Sequence, residues 1–332
     1  MKKILSRLNQ ILKNYFFKLS LRFQFKSDYE KPVISILREF YPPPYGGGNQ
    51  FMLYILKNLR SKGYRVKLNS FDKNVNIFIA DYCWFNDLII KKFLKHKNKF
   101  NSKLIHRIDG LLSSYREDGD PLDKKAQYIN RYADISVIQS LYTLEQFKDN
   151  NYEFKNEVII YNSVDKKIFY PSKRKNRIIQ KIISASWSNN VQKGMNDYLW
   201  LDQNLAFGKY KYEFVGRLNF EPKNILLTPP LQPKYLAQKF READLFIFCA
   251  MNESCSNVLL EAIECGIPVI CKNSGANPEI IGNNGLLYNN VIEIPNLIEE
   301  ISSRNNLFRK KKKLNKNSAF YEYLNLVESL KI

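Results

Sequence analysis

Between Asp244 and Cys271 the chain alternates in a way few architectures accommodate. Asp244-Leu-Phe-Ile-Phe-Cys249 is a short apolar run of the kind buried on both faces of a parallel sheet. A polar turn follows, in which Ser256 or Asn257 is placed to cap a helix. Val258 to Cys265 reads as that helix, Gly266 as its left-handed stop, and Pro268 lies just beyond. Val269-Ile-Cys271 opens the next strand. A strand, a loop, a short helix and a second strand make a parallel crossover unit, and ligands in open α/β sheets gather at the carboxyl ends of such strands.

Two carboxylates stand eight residues apart in this unit, Glu253 in the loop and Glu261 inside the helix. A helix start offers unsatisfied N–H groups and partial positive charge, which suits a phosphate. Glu261, one turn in, is placed to accept hydrogen bonds from a hydroxylated group such as a ribose. Glu253, ahead of the helix, is placed to face whatever hangs from the far phosphate. A bare pair of acids at this spacing is usually solvated surface, and the strand, cap, Gly266 and Pro268 around it favour the site.

The pattern Glu253-x7-Glu261-Ala-x-x-x-Gly266-x-Pro268-Val269 resembles the signature of the retaining glycosyltransferases of family 4, also called group 1. The resemblance covers the chain from about Lys31 to Tyr288. It implies the GT-B fold: an α/β protein with two Rossmann-like, doubly wound domains facing each other across a cleft. It further implies a nucleoside-diphosphate sugar as donor substrate, no metal and no separate cofactor. Carried over, Glu261 meets the donor ribose and Glu253 lies at the donor sugar.

Length and composition agree with that organisation. The 332 residues suit two domains with cores of their own, and 45 % hydrophobic content excludes a disordered chain. Fifty-two basic against 32 acidic side chains give a net charge of +20, which calls for an anionic partner. The five cysteines form no C-x-x-C pair and sit largely in apolar runs, so they read as reduced, buried thiols, with Cys255 in the motif loop the accessible one. His96 and His106 stand ten apart with no cysteine between them, which gives zinc no support. No stretch of 18 apolar residues predicts a membrane span and no secretory leader is read at the start, so the expected location is the cytoplasm, with a peripheral place at the inner face of the cell membrane left open by the basic first helix.

In chain order, residues 1–30 hold a basic amphipathic helix. Residues 1–26 carry seven Lys or Arg and no acid, with Ile4, Leu8, Ile11, Leu12, Tyr15, Phe16 and Leu19 at helical spacing. Such a helix lies either on an anionic membrane surface or on the protein's own body. Residues 31–170 form the first, acceptor-side domain. There Val33–Leu37 is a strand, Tyr41-Pro-Pro-Pro-Tyr-Gly-Gly-Gly48 a loop and Gln50–Arg60 a helix. By resemblance to the family, the loop glycines Gly46, Gly47 and Gly48 are donor-contacting candidates. Lys103–Gly110 places Arg107 and Asp109 at a strand end; by resemblance the family's histidine at the donor sugar falls on His106 or on Asp109, and a structural role for His106 is the alternative. Asp118-Gly-Asp120 lies in a polar loop and predicts no metal site.

Asn162-Ser-Val-Asp165 resembles the family's Asn-Gly-Val-Asp turn, and Pro171–Arg177 reads as the linker. Residues 178–308 form the nucleotide-sugar domain. Lys193-Gly194, at a strand-to-helix turn, supplies a cation for a diphosphate. The family's arginine ahead of it is replaced by Ser186-Trp187-Ser188, and Arg217, at the end of the next strand, is the candidate substitute. Residues 309–332 hold a basic run and a final helix that packs back on the first domain. The expected reaction is sugar transfer to a hydroxyl of a glycan or lipid-linked acceptor in cell-surface polysaccharide or lipopolysaccharide synthesis. The rivals are a nucleic-acid-binding protein, against which no stacking-aromatic motif or recognition helix stands out, and a non-catalytic GT-B nucleotide-binding subunit.

Overall fold

The computed structural model describes residues 2–22, 27–114, 116, 119–172, 178–303 and 318–330. Asp118, most of the expected linker and the basic run 309–316 lie outside them. The chain divides into two compact units. The first comprises residues up to Gln139, Thr143–Tyr161 and Asn317–Ile332; the second comprises Ser140–Tyr142 and Asn162–Lys316.

The first unit is a six-stranded parallel sheet in the order β2-β1-β3-β4-β5-β6. Its strands are β1 (Val33–Leu37), β2 (Val66–Leu68), β3 (Val75–Asp81), β4 (Lys103–Ile108), β5 (Ile135–Ile138) and β6 (Glu157–Ile159). Helices α1 (Lys2–Ser20), α2 (Gly47–Ser61), α3 (Asp87–Phe100), α4 (Gly119–Asn130) and α5 (Leu141–Asp149) accompany it. Every residue of β1 is buried, which explains its almost wholly apolar sequence: a strand covered on both faces has no solvent side to alternate with, and its one polar residue, Ser35, accepts from the Ser70 N–H at 3.1 Å. The C-terminal helix Ala319–Ser329 packs into this core, with Tyr323 edge-on to Phe51 at 6.0 Å and the Tyr54 hydroxyl 2.7 Å from that of Ser318.

The second unit repeats the design in the order β12-β11-β10-β7-β8-β9, again with all pairings parallel. Its strands are β7 (Lys181–Ser186), β8 (Lys211–Gly216), β9 (Leu226–Thr228), β10 (Leu245–Phe248), β11 (Val269–Lys272) and β12 (Gly285–Tyr288). The helices are α6 (Met195–Asn204), α7 (Pro233–Glu242), α8 (Asn257–Glu264), α9 (Asn277–Ile281) and α10 (Ile294–Ser303). Both sheets use the same entry device, an aspartate just ahead of an inner strand that ties down the neighbouring strand. Asp134 accepts from the Leu104 N–H at 2.7 Å, and Asp244 accepts from the Lys181 N–H at 2.9 Å.

Two boundaries differ from the sequence reading. Helix α2 begins at Gly47 and not at Gln50, because Gly46, at φ 47°, turns the chain into the helix and the next two glycines take its first turn. The division between units falls at Tyr161/Asn162, before residue 170. Asn162 belongs to the second unit, donating its backbone N–H to the Cys255 thiol at 3.3 Å and its side-chain amide to the Cys255 carbonyl at 3.0 Å.

Candidate functional site

In each sheet the order reverses once, between β1 and β3 in the first and between β7 and β10 in the second. Loops leaving two adjacent strands in opposite directions open a crevice at their carboxyl ends, where doubly wound proteins bind ligands.

In the second unit that crevice lies between the loops after β7 and β10. The turn after β7 passes through Lys193, which sits in a single 3-10 turn capped by the side chain of Asn190. Gly194 must be glycine there: its φ is 83°, and a Cβ would lie 2.3 Å from the Cys249 carbonyl oxygen. The loop after β10 carries Glu253 and is held to its neighbours by backbone bonds, Met251 N–H to the Gln192 carbonyl at 2.8 Å and Ala276 N–H to the Glu253 carbonyl at 2.8 Å. The Lys193 ammonium donates to the Glu253 carboxylate at 2.5 Å. The two residues singled out separately in the sequence therefore meet across the reversal point.

Helix α8 runs from Asn257 to Glu264 with Ser256 as its cap, the hydroxyl oxygen accepting from Leu259 N–H at 3.4 Å. Gly266 ends it at φ 71°. Asn257 is buried, and its side-chain carbonyl oxygen has no partner among the described residues. Glu261 is part-buried and, among the described residues, no donor or cation reaches its carboxyl. Burial alone pushes that carboxyl up to about 8. A carboxyl raised by burial at the reversal point of a sheet is a candidate for a binding role.

Arg217 leaves the carboxyl end of β8 and lies over the ring of Trp187 at 4.1 Å, with an Nη1 contact of 3.4 Å to the Trp187 carbonyl. Gly216 allows this approach, since a Cβ there would strike the Ser186 carbonyl oxygen. The cation thus stands against the Ser186-Trp187-Ser188 segment. Gly275 is equally constrained: at φ 60° its Cβ would sit 2.6 Å from Glu253 N. We expect Gly275→Ala to cost about 1–3 kcal/mol in chemical denaturation and to displace Glu253, so that any ligand of this loop binds more weakly.

In the first unit the corresponding place is filled by the protein's own charges. Asp81, at the end of β3, pairs with Arg38, just after β1, and with Arg107 of β4 at 2.6 Å. Arg107 also donates to Gln139 at 2.6 Å and faces the ring of Phe51 at 4.9 Å. Asp109 accepts from Gln139 at 2.5 Å and from the Trp84 indole at 3.1 Å. Burial opposes its charge, but Arg107 and these two donors hold it below the usual carboxylate range. Gly48 lies over this network, where a Cβ would be 3.6 Å from the Arg38 guanidinium; Gly46 and Gly47 form the turn into α2.

Two sequence expectations require correction. His106 is 0 % exposed inside the sheet, with Nε2 2.8 Å from the Tyr82 carbonyl and Nδ1 3.1 Å from the Asn130 amide. Those partners fit a neutral ring donating from Nε2 and accepting at Nδ1, and burial pushes its pKa down to about 4. It is a buried residue of β4 with both ring nitrogens engaged inside the first unit. Cys255 is buried rather than accessible, like the other four cysteines. Among the described residues, no cluster of three His, Cys, Asp or Glu side chains is placed to hold a metal ion.

With this geometry in place, the likenesses to known proteins can be stated. Residues 210–323 match the family described as glycosyl transferases group 1. No curated protein matches the sequence. Among solved structures, sucrose-phosphate synthase from Thermosynechococcus elongatus superposes with a TM-score of 0.69 at 14 % identity, over 90 % of this chain and 95 % of that one. HepE from Anabaena, in complex with UDP and glucose, gives 0.71 at 14 % identity over 90 % of this chain and all of that one, 100 %. An alpha-glucosyltransferase in complex with UDP and a 13-mer DNA containing an HMU base gives 0.63 at 13 % identity, over 90 % and 100 %. At these identities the common property is the fold, which is that of the GT-B glycosyltransferases.

Proposed function

We propose that this chain, resembling the group 1 glycosyltransferases over residues 210–323 and GT-B in fold, moves a sugar from a nucleoside-diphosphate sugar to a hydroxyl of a glycan or lipid-linked acceptor. Retention of anomeric configuration and a place in cell-surface polysaccharide or lipopolysaccharide synthesis follow from the resemblance and belong to the same proposal. The observation that carries it is Glu261, a carboxyl raised to about 8 by burial, without a partner among the described residues, one turn into the helix at the second sheet's reversal point. Two ribose hydroxyls donating to that carboxylate would supply the missing hydrogen bonds.

In the reaction the bond between the sugar's anomeric carbon and the diphosphate oxygen breaks, and a bond to the acceptor oxygen forms as its proton passes to the departing diphosphate. The costs are charge on the departing diphosphate and cationic character on the sugar. Lys193 and the first-turn N–H groups of α8 answer the first, with Arg217 supplying the second cation. Glu253, released from Lys193 as the phosphates take the ammonium, positions the sugar. Asp109, held by the Trp84 indole and the Gln139 amide, is the first unit's candidate for positioning the sugar.

Thermal stabilisation by UDP, GDP, ADP, CDP and dTDP tests the reading. UDP heads the series because HepE was solved with UDP-glucose. At a hundredfold excess over Kd a ligand stabilises by about 2.7 kcal/mol, roughly 5–10 °C in a unit of this size. One nucleotide shifting the wild type but not Glu261→Ala is the expected result. A response to short DNA or RNA alone would replace this reading with nucleic-acid binding. Nucleotide binding with no sugar transferred or released would leave a non-catalytic subunit.

A further inference from the structure

From residue 10 onward the first helix has two apolar faces, and the described residues cover only one of them. Successive helical residues turn by about 100°. Phe17, with Leu21 in the turn that follows, therefore faces one way, and both pack against the first unit's core. The backbone carbonyl of Leu21 is held by Arg60 at 2.7 Å, and Lys18 is anchored to Glu39 at 3.0 Å and lies over Tyr41. Ile11, Leu12, Tyr15, Phe16 and Leu19 fall within an arc of about 140° on the opposite side, and they are between 37 % and 62 % exposed. A stripe of five large apolar side chains on one helix is more than isolated surface exposure explains.

We propose that this bare face is the seat of an anionic lipid surface, with the helix lying in the interface plane. Charge complementarity selects the occupant. The segment 1–26 carries seven basic residues and no acid, on a chain of net charge +20. Lys13 flanks the apolar stripe on one side, so insertion of the stripe brings its ammonium group to headgroup level, while Lys18 on the other side stays on Glu39. None of the described helices is long and apolar enough to cross a membrane, so the helix rests on the surface. The docked face is independent of the bare one, which leaves α1 free to stay on the protein while it binds. Through Lys18 the helix adjoins Glu39 and Tyr41, at the carboxyl end of β1, so the lipid surface lies beside the Tyr41–Gly48 loop. This surface role stands apart from the glycosyl-transfer reading and is tested without it.

The experiment is flotation of the full chain with vesicles of phosphatidylcholine alone or with one-third phosphatidylglycerol. The wild type is expected to float with the anionic vesicles only, and Leu12→Glu/Phe16→Glu to lose that binding by roughly tenfold or more. Both residues are exposed, so circular dichroism and melting should match the wild type. Ile11→Ser/Tyr15→Ser, which adds no charge, should also weaken binding. Equal flotation of these variants, or no binding of the wild type to anionic vesicles, overturns the proposal. So does a wild-type dimer in solution that the same substitutions dissolve, which would give the face to a second copy. Displacement of the protein from vesicles by short duplex DNA with no effect of the apolar substitutions would likewise overturn it.

Discussion

Asp81→Ala is expected to lower the stability of the first unit by about 3–5 kcal/mol, the cost of breaking a buried ion network by removing one partner. Asp81 is 0 % exposed and lies between two guanidinium groups, those of Arg38 and Arg107, themselves 7 % and 1 % exposed. Burial, and then the nearness of Arg107, already push the Arg38 guanidinium down to about 10. Removing the carboxylate between them leaves like charges facing each other in a poorly solvated place, with Asp109 the remaining counter-charge. Urea denaturation followed by the separate signals of the two units should show the first transition move to lower denaturant while the second stays. A change below about 1 kcal/mol would mean that water reaches the network and screens it. Because these charges sit where the first sheet's order reverses, partial loss of stability should be accompanied by disorder of the Tyr41–Gly48 loop that rests on Arg38 through Gly48.

How far this was legible from sequence can be traced residue by residue. The unit from Asp244 to Cys271 was readable almost to the residue, because an apolar strand, a serine cap, a glycine stop and a proline follow local rules. Strand β2 has three residues and no pattern long enough to register, and it exists through pairing with β1. The Arg38–Asp81–Arg107 network left a faint signal: each residue closes or lies within an apolar strand run, where a charge has to be paired or face a ligand. What no local pattern could say is that they pair with each other, since Arg38 and Asp81 meet only through the sheet order. His106 shows the same limit from the other side. Its position in a strand near candidate polar residues looked like a site, but the alternation of faces turned it inward onto Tyr82 and Asn130. The unit boundary moved for a long-range reason as well, the capture of Asn162 by Cys255.

Nucleotide affinity is expected to rise with pH between about 6 and 8, by up to about tenfold per pH unit, and to lose that slope in Glu261→Gln. In the empty protein burial holds the Glu261 carboxyl at about 8 against an ordinary 4.5, so it is largely protonated at pH 7. Hydroxyl donors of a ribose are best satisfied by the carboxylate, so binding pulls the pKa down and releases a proton. Affinity is therefore fully present above 8 and weakens as pH falls through that value. Folding carries the opposite sign. A carboxyl whose folded pKa lies above its unfolded one favours the native state below 4.5, and that advantage is lost as pH rises towards 8. Glu261→Gln removes the ionisation that is penalised and should raise the melting temperature of the empty protein at pH 8, about 2–4 °C for each kcal/mol recovered, while weakening nucleotide binding there. Calorimetry in two buffers of different ionisation enthalpy would detect the released proton directly. A pH-independent affinity with no proton release would show that Glu261 is already ionised or does not meet the ligand. A variant less stable than wild type at pH 8 would show that the carboxyl has a partner in the folded protein and that its role is structural.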